Sequence, residues 1–177
     1  FFPDMNYFVR AMWVILIAFA IANQGAYKGW KKGLFTMLFI AALITFSDQI
    51  TNVIRGVFER LRPNNDPAIK DLLRTLIRPQ SFSFTSGHAT TSTVITVFLI
   101  MLLRKQVKAI KFLVLFPLVF AYSRLYLGVH FPIDILCGFM NGTVIGYLAY
   151  KLYKIISGKI FMIPAICFIA SSNIKFF

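Results

Sequence analysis

Acidic residues are scarce in this 177-residue chain: six Asp and Glu stand against 19 Lys and Arg, and only 14% of positions carry charge. Soluble domains average about 25% charged residues, so much of this protein's surface faces a solvent other than water. Cysteine is nearly missing. Cys137 and Cys167 both sit in apolar stretches without metal-ligand spacing, which excludes a disulfide scaffold and reads as packing. Strict polar/apolar alternation at strand length is absent, and with it any case for a transmembrane barrel. No internal repeat or low-complexity tract occurs.

What is abundant is apolar surface. The chain is 58% hydrophobic with a mean hydropathy of +0.73, which excludes disorder and defines an integral membrane protein. Uncharged apolar runs cover about residues 11–27, 33–54, 88–103, 112–123, 131–150 and 160–174, most of them near the roughly 17–25 residues that a spanning helix requires. The expected fold is all-α: a polytopic transmembrane bundle of about six helices, one membrane-embedded domain over residues 1–177. The only long connection, about 56–86, would form a short extracytoplasmic cap. The chain opens on Phe1 rather than Met, consistent with residues preceding it.

The excess positive charge has a topological reading. Lys28, Lys31, Lys32, Arg104, Lys105, Lys108, Lys111, Lys151, Lys154 and Lys159 fill the first, third and fifth connections, with no acid among them. These are ten of the 19 basic residues, the pattern of a cytoplasmic face. Anionic lipid and membrane topology thus account for the charge, and nucleic-acid binding is not expected, since no nucleic-acid motif appears. In the long connection Lys70, Arg74 and Arg78 recur every four residues. They are expected either to lie on a solvated interfacial helix or to meet a phosphate-rich headgroup.

In the fifth run Gly138, Gly142 and Gly146 also recur every four residues, a spacing that admits a close helix neighbour. Asn141-Gly142-Thr143 matches a glycosylation sequon, but membrane depth excludes it. Asp48, in the second run, is expected to be a polar packing residue near the floor of the site, bonded to Ser, Gln or an arginine, with a place in a proton path as the alternative.

Three polar constellations fall on the side opposite the lysines. Arg55 and Arg62 are seven residues apart, two helical turns, and are expected to share a face before Pro63 stops the helix. Two guanidinium forks so placed suit phosphate oxygens. Thr85-Ser86-Gly87-His88 precedes the third run, so Ser86 and Gly87 are expected at a helix N-terminus, where N–H groups and the dipole hold anions. Ser123-Arg124-x5-His130-x3-Asp134 crosses from the fourth run to the fifth. Helical spacing would let Asp134 accept Nδ1–H of His130 and leave Nε2 as a nucleophile. Average residue usage would produce that last pattern roughly once in 10⁵ starting positions.

These blocks resemble those of the type 2 phosphatidic acid phosphatase superfamily, membrane lipid phosphatases related to the vanadium haloperoxidases. The family motifs are Lys-x6-Arg-Pro, Pro-Ser-Gly-His and Ser-Arg-x5-His-x3-Asp, and the resemblance covers about residues 47–146. Arg55 stands where the family usually has lysine, and Thr85 where it has proline. The resemblance implies hydrolysis of a phosphomonoester or diphosphate, without metal or other cofactor, through a phosphohistidine on His130. Asp134 would orient His130, and His88 would serve as acid and then base. Arg55, Arg62, Arg124, Ser86 and the Gly87 N–H would hold the phosphoryl group.

Glu59, Asp66, Asp71 and Asp134 are the acids near this site, and three arginines supply the charge that a metal would otherwise bring. The expected setting is a bacterial inner membrane, with the site facing the periplasm and the lipid's acyl chains left in the bilayer. The expected substrate is lipid A 1-phosphate, with undecaprenyl diphosphate and phosphatidylglycerol phosphate as alternatives. A non-enzymatic lipid transporter or scramblase is the alternative of another class, and it gives no reason for a carboxylate one turn from His130. Oligomeric state is not legible.

Overall fold

The computed structural model describes residues 29–68 and 81–173, with side chains through 161, together with Val14, Ala18, Ile21 and Ala22. Among the described residues the protein is helical, without strands. Helix α1 spans Trp30–Phe58 and α2 spans Gly87–Leu103. A 3-10 segment, Lys108–Val114, leads into α3, Leu115–Tyr126, and α4 runs Pro132–Asn173. Three stretches are long and apolar enough to cross a membrane: Trp30–Phe58, Lys108–Tyr126 and Pro132–Phe161. Helix α2, at 17 residues, is shorter.

The first expected run falls almost wholly outside the described residues. The fifth and sixth differ from expectation, because Lys151, Lys154 and Lys159 do not form a connection: α4 continues through them for 42 residues. At 1.5 Å per residue that is about 63 Å, twice a hydrocarbon core. Tyr150–Ile160 contains no proline, and its single glycine, Gly158, is tolerated within the helix at a cost of about 1 kcal/mol relative to alanine. The lysines there do not mark a chain reversal.

Helix α2 is the centre of the bundle. Its sequence Thr90-Thr91-Ser92-Thr93-Val94-Ile95-Thr96 is rich in β-branched residues that form helices poorly in water. In hydrocarbon the backbone must satisfy its own hydrogen bonds, and this outweighs propensity. The hydroxyls fold back: Thr90 Oγ1 donates to the Ser86 carbonyl at 3.0 Å and Ser92 Oγ to the Ala89 carbonyl at 3.1 Å. Helix α4 lies against α2 through the glycine stripe. A Cβ on Gly142 would stand 2.6 Å from the Thr90 carbonyl, one on Gly146 2.7 Å from the Val94 carbonyl, and one on Gly138 3.0 Å from the Ala89 Cβ. The expected helix-packing role of these glycines is what the geometry contains.

The opposite face of α4 carries Ile133, Leu136, Met140, Val144, Leu148, Leu152 and Ile155, all exposed. Small residues inward and large apolar residues outward is the arrangement suited to lipid. At the end remote from the site, Ile40, Leu43, Phe98, Leu99, Leu103 and Tyr153 close the core. There Thr36 Oγ1 and the Tyr153 hydroxyl share a buried 2.7 Å hydrogen bond that ties α1 to α4. Lys31, Lys32, Arg104, Lys105, Lys108 and Lys111 lie at this same end, because successive helices run in opposite directions.

Candidate active site

Four helix ends meet at the other pole: the C-termini of α1 and α3 and the N-termini of α2 and α4. Each end delivers part of the polar cluster. Helix α1 stops earlier than Pro63 would dictate. Glu59 adopts a left-handed conformation (φ 45°) and its N–H bonds the Arg55 carbonyl, so Arg62 leaves the helix face that Arg55 occupies. The two guanidinium groups still interact electrostatically, but by a chain reversal and not by shared helical phase. The expected common face is corrected accordingly.

Arg55 Nε donates to the Thr85 carbonyl at 3.0 Å, and its Nη2 lies 2.9 Å from where a Cβ on Gly87 would stand. Glycine at 87 is therefore what lets this guanidinium approach the start of α2. Arg62 is buried and aimed by three partners: Nε donates to the Ser81 carbonyl (2.7 Å), Nη2 to Ser81 Oγ (2.9 Å) and Nη1 to the Val129 carbonyl (3.2 Å). Its Nη1 also stands 3.4 Å from His130 Nε2. Burial, then the neighbouring charge of Arg55, push the Arg62 pKa down to about 10, which leaves it charged at neutral pH. Arg124 is buried at the end of α3, its guanidinium 4.9 Å from the Phe120 ring centre.

Ser86 caps α2: its Oγ accepts from Ala89 N at 3.5 Å, while its own N–H donates to the Asp134 carbonyl at 3.1 Å. Gly87 is the first residue of the helix, as expected. His88 projects from the first turn against Phe120, ring centres 5.4 Å apart, within electrostatic range of Arg124, His130, Arg55 and Arg62.

Gly128, at φ 63°, turns the chain between α3 and α4 and brings His130 beside Arg62. His130 and Asp134 are both buried, with Nδ1 3.7 Å from Asp134 Oδ2, longer than a hydrogen bond. That oxygen is held by the Phe131 N–H at 2.9 Å. Because a guanidinium can only donate, Arg62 requires Nε2 to be the unprotonated nitrogen, which assigns the proton to Nδ1 on the Asp134 side. Burial lowers the His130 pKa below its ordinary 6.5, against the opposing pull of the nearby Asp134 carboxylate. His130 is thus a neutral imidazole with its lone pair at Nε2.

The structure brings together Arg55, Arg62, Ser86, Gly87, His88, Arg124, His130 and Asp134. Lys70, Arg74 and Arg78, expected at a headgroup, lie outside the described residues. Asp48 lies two turns below Arg55 and accepts from Thr91 Oγ1 at 2.9 Å, a partner on α2 that the sequence did not single out. Sequence reasoning also passed over Ser81 and Arg60. Arg60 Nη1 is 3.2 Å from Asp134 Oδ1, and its only sequence signal was a third arginine between Arg55 and Pro63. Among the described residues no three His, Cys, Asp or Glu side chains cluster as metal ligands.

The arrangement is a basic anion cradle around a neutral histidine backed by a carboxylate, and residues 30–156 match the PAP2 superfamily. The chain belongs to that superfamily and is a membrane hydrolase of phosphate esters. It is 37% identical to a lipid A 4'-phosphatase of Bacteroides thetaiotaomicron, over 84% of this chain and 69% of the relative. With a lipid A 4'-phosphatase of Porphyromonas gingivalis it shares 29% identity, over 83% of this chain and 64% of the relative. It therefore spans about two thirds of these relatives. The crystal structure of a PAP2-type phosphatidylglycerolphosphate phosphatase from Bacillus subtilis has the same fold, with a TM-score of 0.63 at 24% identity over 87% of this chain and 79% of that one.

Proposed function

We propose that the protein removes a phosphate from a lipid headgroup through a phosphohistidine on His130, without a metal. The observation that carries this reading is the contact of His130 Nε2 with Arg62 Nη1 at 3.4 Å, with Asp134 on the other side of the same ring. A nucleophilic lone pair and a phosphate-binding fork occupy one point in space. Nε2 attacks phosphorus, the P–O bond to the lipid breaks, and His88, entering this step as the imidazolium that the incoming phosphate's negative charge favours, gives a proton to the leaving oxygen and is left neutral. Asp134 stabilises the imidazolium character that develops on His130. In the second step His88 takes a proton from water, the oxygen attacks phosphorus, and the P–N bond breaks to release inorganic phosphate. Arg55, Arg62, Arg124, Ser86 Oγ and the Gly87 N–H hold the three phosphoryl oxygens as charge spreads over them.

The substrate we propose is a phosphate monoester of lipid A. The sequence-based expectation was the 1-phosphate, whereas the two lipid A relatives are named for the 4'-position, so the 4'-phosphate now ranks first. Relatives named phosphatidylglycerophosphatase B and undecaprenyl-diphosphatase keep those two lipids as alternatives. Lys70, Arg74 and Arg78 would meet the sugar phosphates, and the site would open to the periplasmic surface of a bacterial inner membrane. The lysine-rich opposite pole supports that orientation through the positive-inside rule.

Purified protein in detergent and EDTA is expected to release phosphate from lipid A, with mass spectrometry showing loss at the 4'-position. His88→Ala and His130→Ala should each abolish release. Phosphate loss at the 1-position would reverse the substrate assignment. Lipid movement across vesicles that survives His130→Ala, with no hydrolysis in wild type, would establish the transporter reading instead.

A further inference from the structure

Resting on the phosphatase reading above, we propose that Arg60 is a positioning residue that holds Asp134 from the side facing away from His130. Asp134 has no solvent-exposed side-chain surface, and its two oxygens have separate duties. Oδ2 faces the Phe131 N–H and His130 Nδ1, while Oδ1 is held by Arg60 Nη1 at 3.2 Å.

Arg60 differs in kind from the three arginines of the cradle. Its guanidinium lies 4.1 Å from the centre of the Phe131 ring, one residue from the nucleophile, and its side chain stays 39% exposed at the rim. Stacking on the ring and bonding to a carboxylate fix its orientation away from the phosphate cradle. The backbone secures it as well: Ser83 N–H donates to the Arg60 carbonyl at 2.8 Å, next to the left-handed Glu59 that turns the chain out of α1. The bond thus crosses from the end of α1 to the start of α4.

Two consequences follow for His130. A carboxylate gripped at Oδ1 cannot rotate, so Oδ2 stays aimed at Nδ1. A carboxylate that shares its charge with a guanidinium also pulls less strongly on the imidazole proton, which keeps His130 neutral. The charged and titratable groups facing His130 are Arg55 from α1, Arg62 from the connection, His88 from α2 and Asp134 from α4. Asp134 is itself faced by Arg60, His130, Arg55 and Arg62, while Arg124 from α3 acts on His88 and Arg62. Among the described charged side chains that face Asp134, only Arg60 bonds its carboxylate without also reaching His130 or the cradle.

The test uses both kinetics and a titration that needs no turnover. The chain has two histidines, so 15N-histidine spectra of the detergent-solubilised protein resolve both rings, with His88→Asn giving the assignment. Arg60→Ala and the milder Arg60→Gln are expected to raise the His130 midpoint by about half a pH unit or more. The acid limb of kcat/KM should move upward with it, and kcat should fall about tenfold at nearly constant KM. Arg60→Lys, which keeps the charge, should return the midpoint to the wild-type value and recover most of kcat. An unmoved His130 midpoint in folded Arg60→Gln overturns the proposal, as does a raised KM at unchanged kcat, which would make Arg60 a headgroup ligand. Wild-type protein that hydrolyses no lipid would sink the phosphatase reading, while the titration still decides whether Arg60 controls His130.

Discussion

The nucleophilic role proposed for His130 requires that Nε2 keep its lone pair, and burial favours that state at neutral pH. Its pKa lies below the ordinary 6.5, so kcat/KM is expected to hold as pH falls through 6.5 and to decline only further down, as a pH–rate profile would show. Stability follows the same sign. In the window below 6.5 the unfolded chain binds the proton that the folded chain refuses, so stability decreases with acidification there. His130→Gln should make that slope shallower in thermal melts. Replacing Arg62 by Ala removes the proposed phosphate ligand and the donor beside Nε2; we expect kcat to fall by about 10²–10³-fold, measured as phosphate release. Asp134→Asn leaves the shape and removes the charge that backs His130, and a fall of about 10²–10⁴-fold is expected.

The pairing of α2 with α4 decides whether these residues meet at all. It positions Ser86 against the Asp134 carbonyl and Gly138 against Ala89, so the helix contact and the site are one structure. Gly142→Ala would put a methyl group 2.6 Å from the Thr90 backbone oxygen. Neither helix can yield locally, so the pair must separate, and we expect a loss of about 1–3 kcal/mol with activity falling in parallel, read from detergent-solubilised thermal unfolding. Gly158→Ala, further along α4 where a Cβ meets nothing within 4 Å, should leave activity unchanged and stability unchanged or raised by up to about 1 kcal/mol. The element scale also explains the failed reading of Arg55 and Arg62 as one helical face. Helix propensity runs on through Arg60, and the stop at Glu59 comes from a backbone conformation that the residue type does not advertise.

For the whole molecule, charge and hydropathy separate along the length of the helix bundle. One pole carries lysines and arginines beyond an aromatic-rich core; the other holds guanidinium groups turned inward on one another, which is costly unless an anion arrives. Arg62 is depressed by Arg55 and Arg124 as well as by burial. A bound phosphate should relieve that repulsion and stabilise the fold, so inorganic phosphate or vanadate is expected to raise the melting temperature of wild-type protein. Arg62→Ala should lose most of that shift.

Sequence by itself determined the membrane class, the helical fold and the identities of the cradle and its two histidines, because each is written in local terms: run length, charge and fixed spacing within one segment. The glycine stripe of α4 was legible for the same reason. Tertiary structure alone decided what crosses between segments. It merged two expected spans into one helix, matched Asp48 with Thr91, and brought Ser81 to Arg62 and Arg60 to Asp134. Those pairs are 19 to 74 residues apart along the chain, and no periodicity carries information over such a distance. Only the packing of helix ends, with buried charges seeking partners, fixes which arginine stands beside His130 and which holds the aspartate.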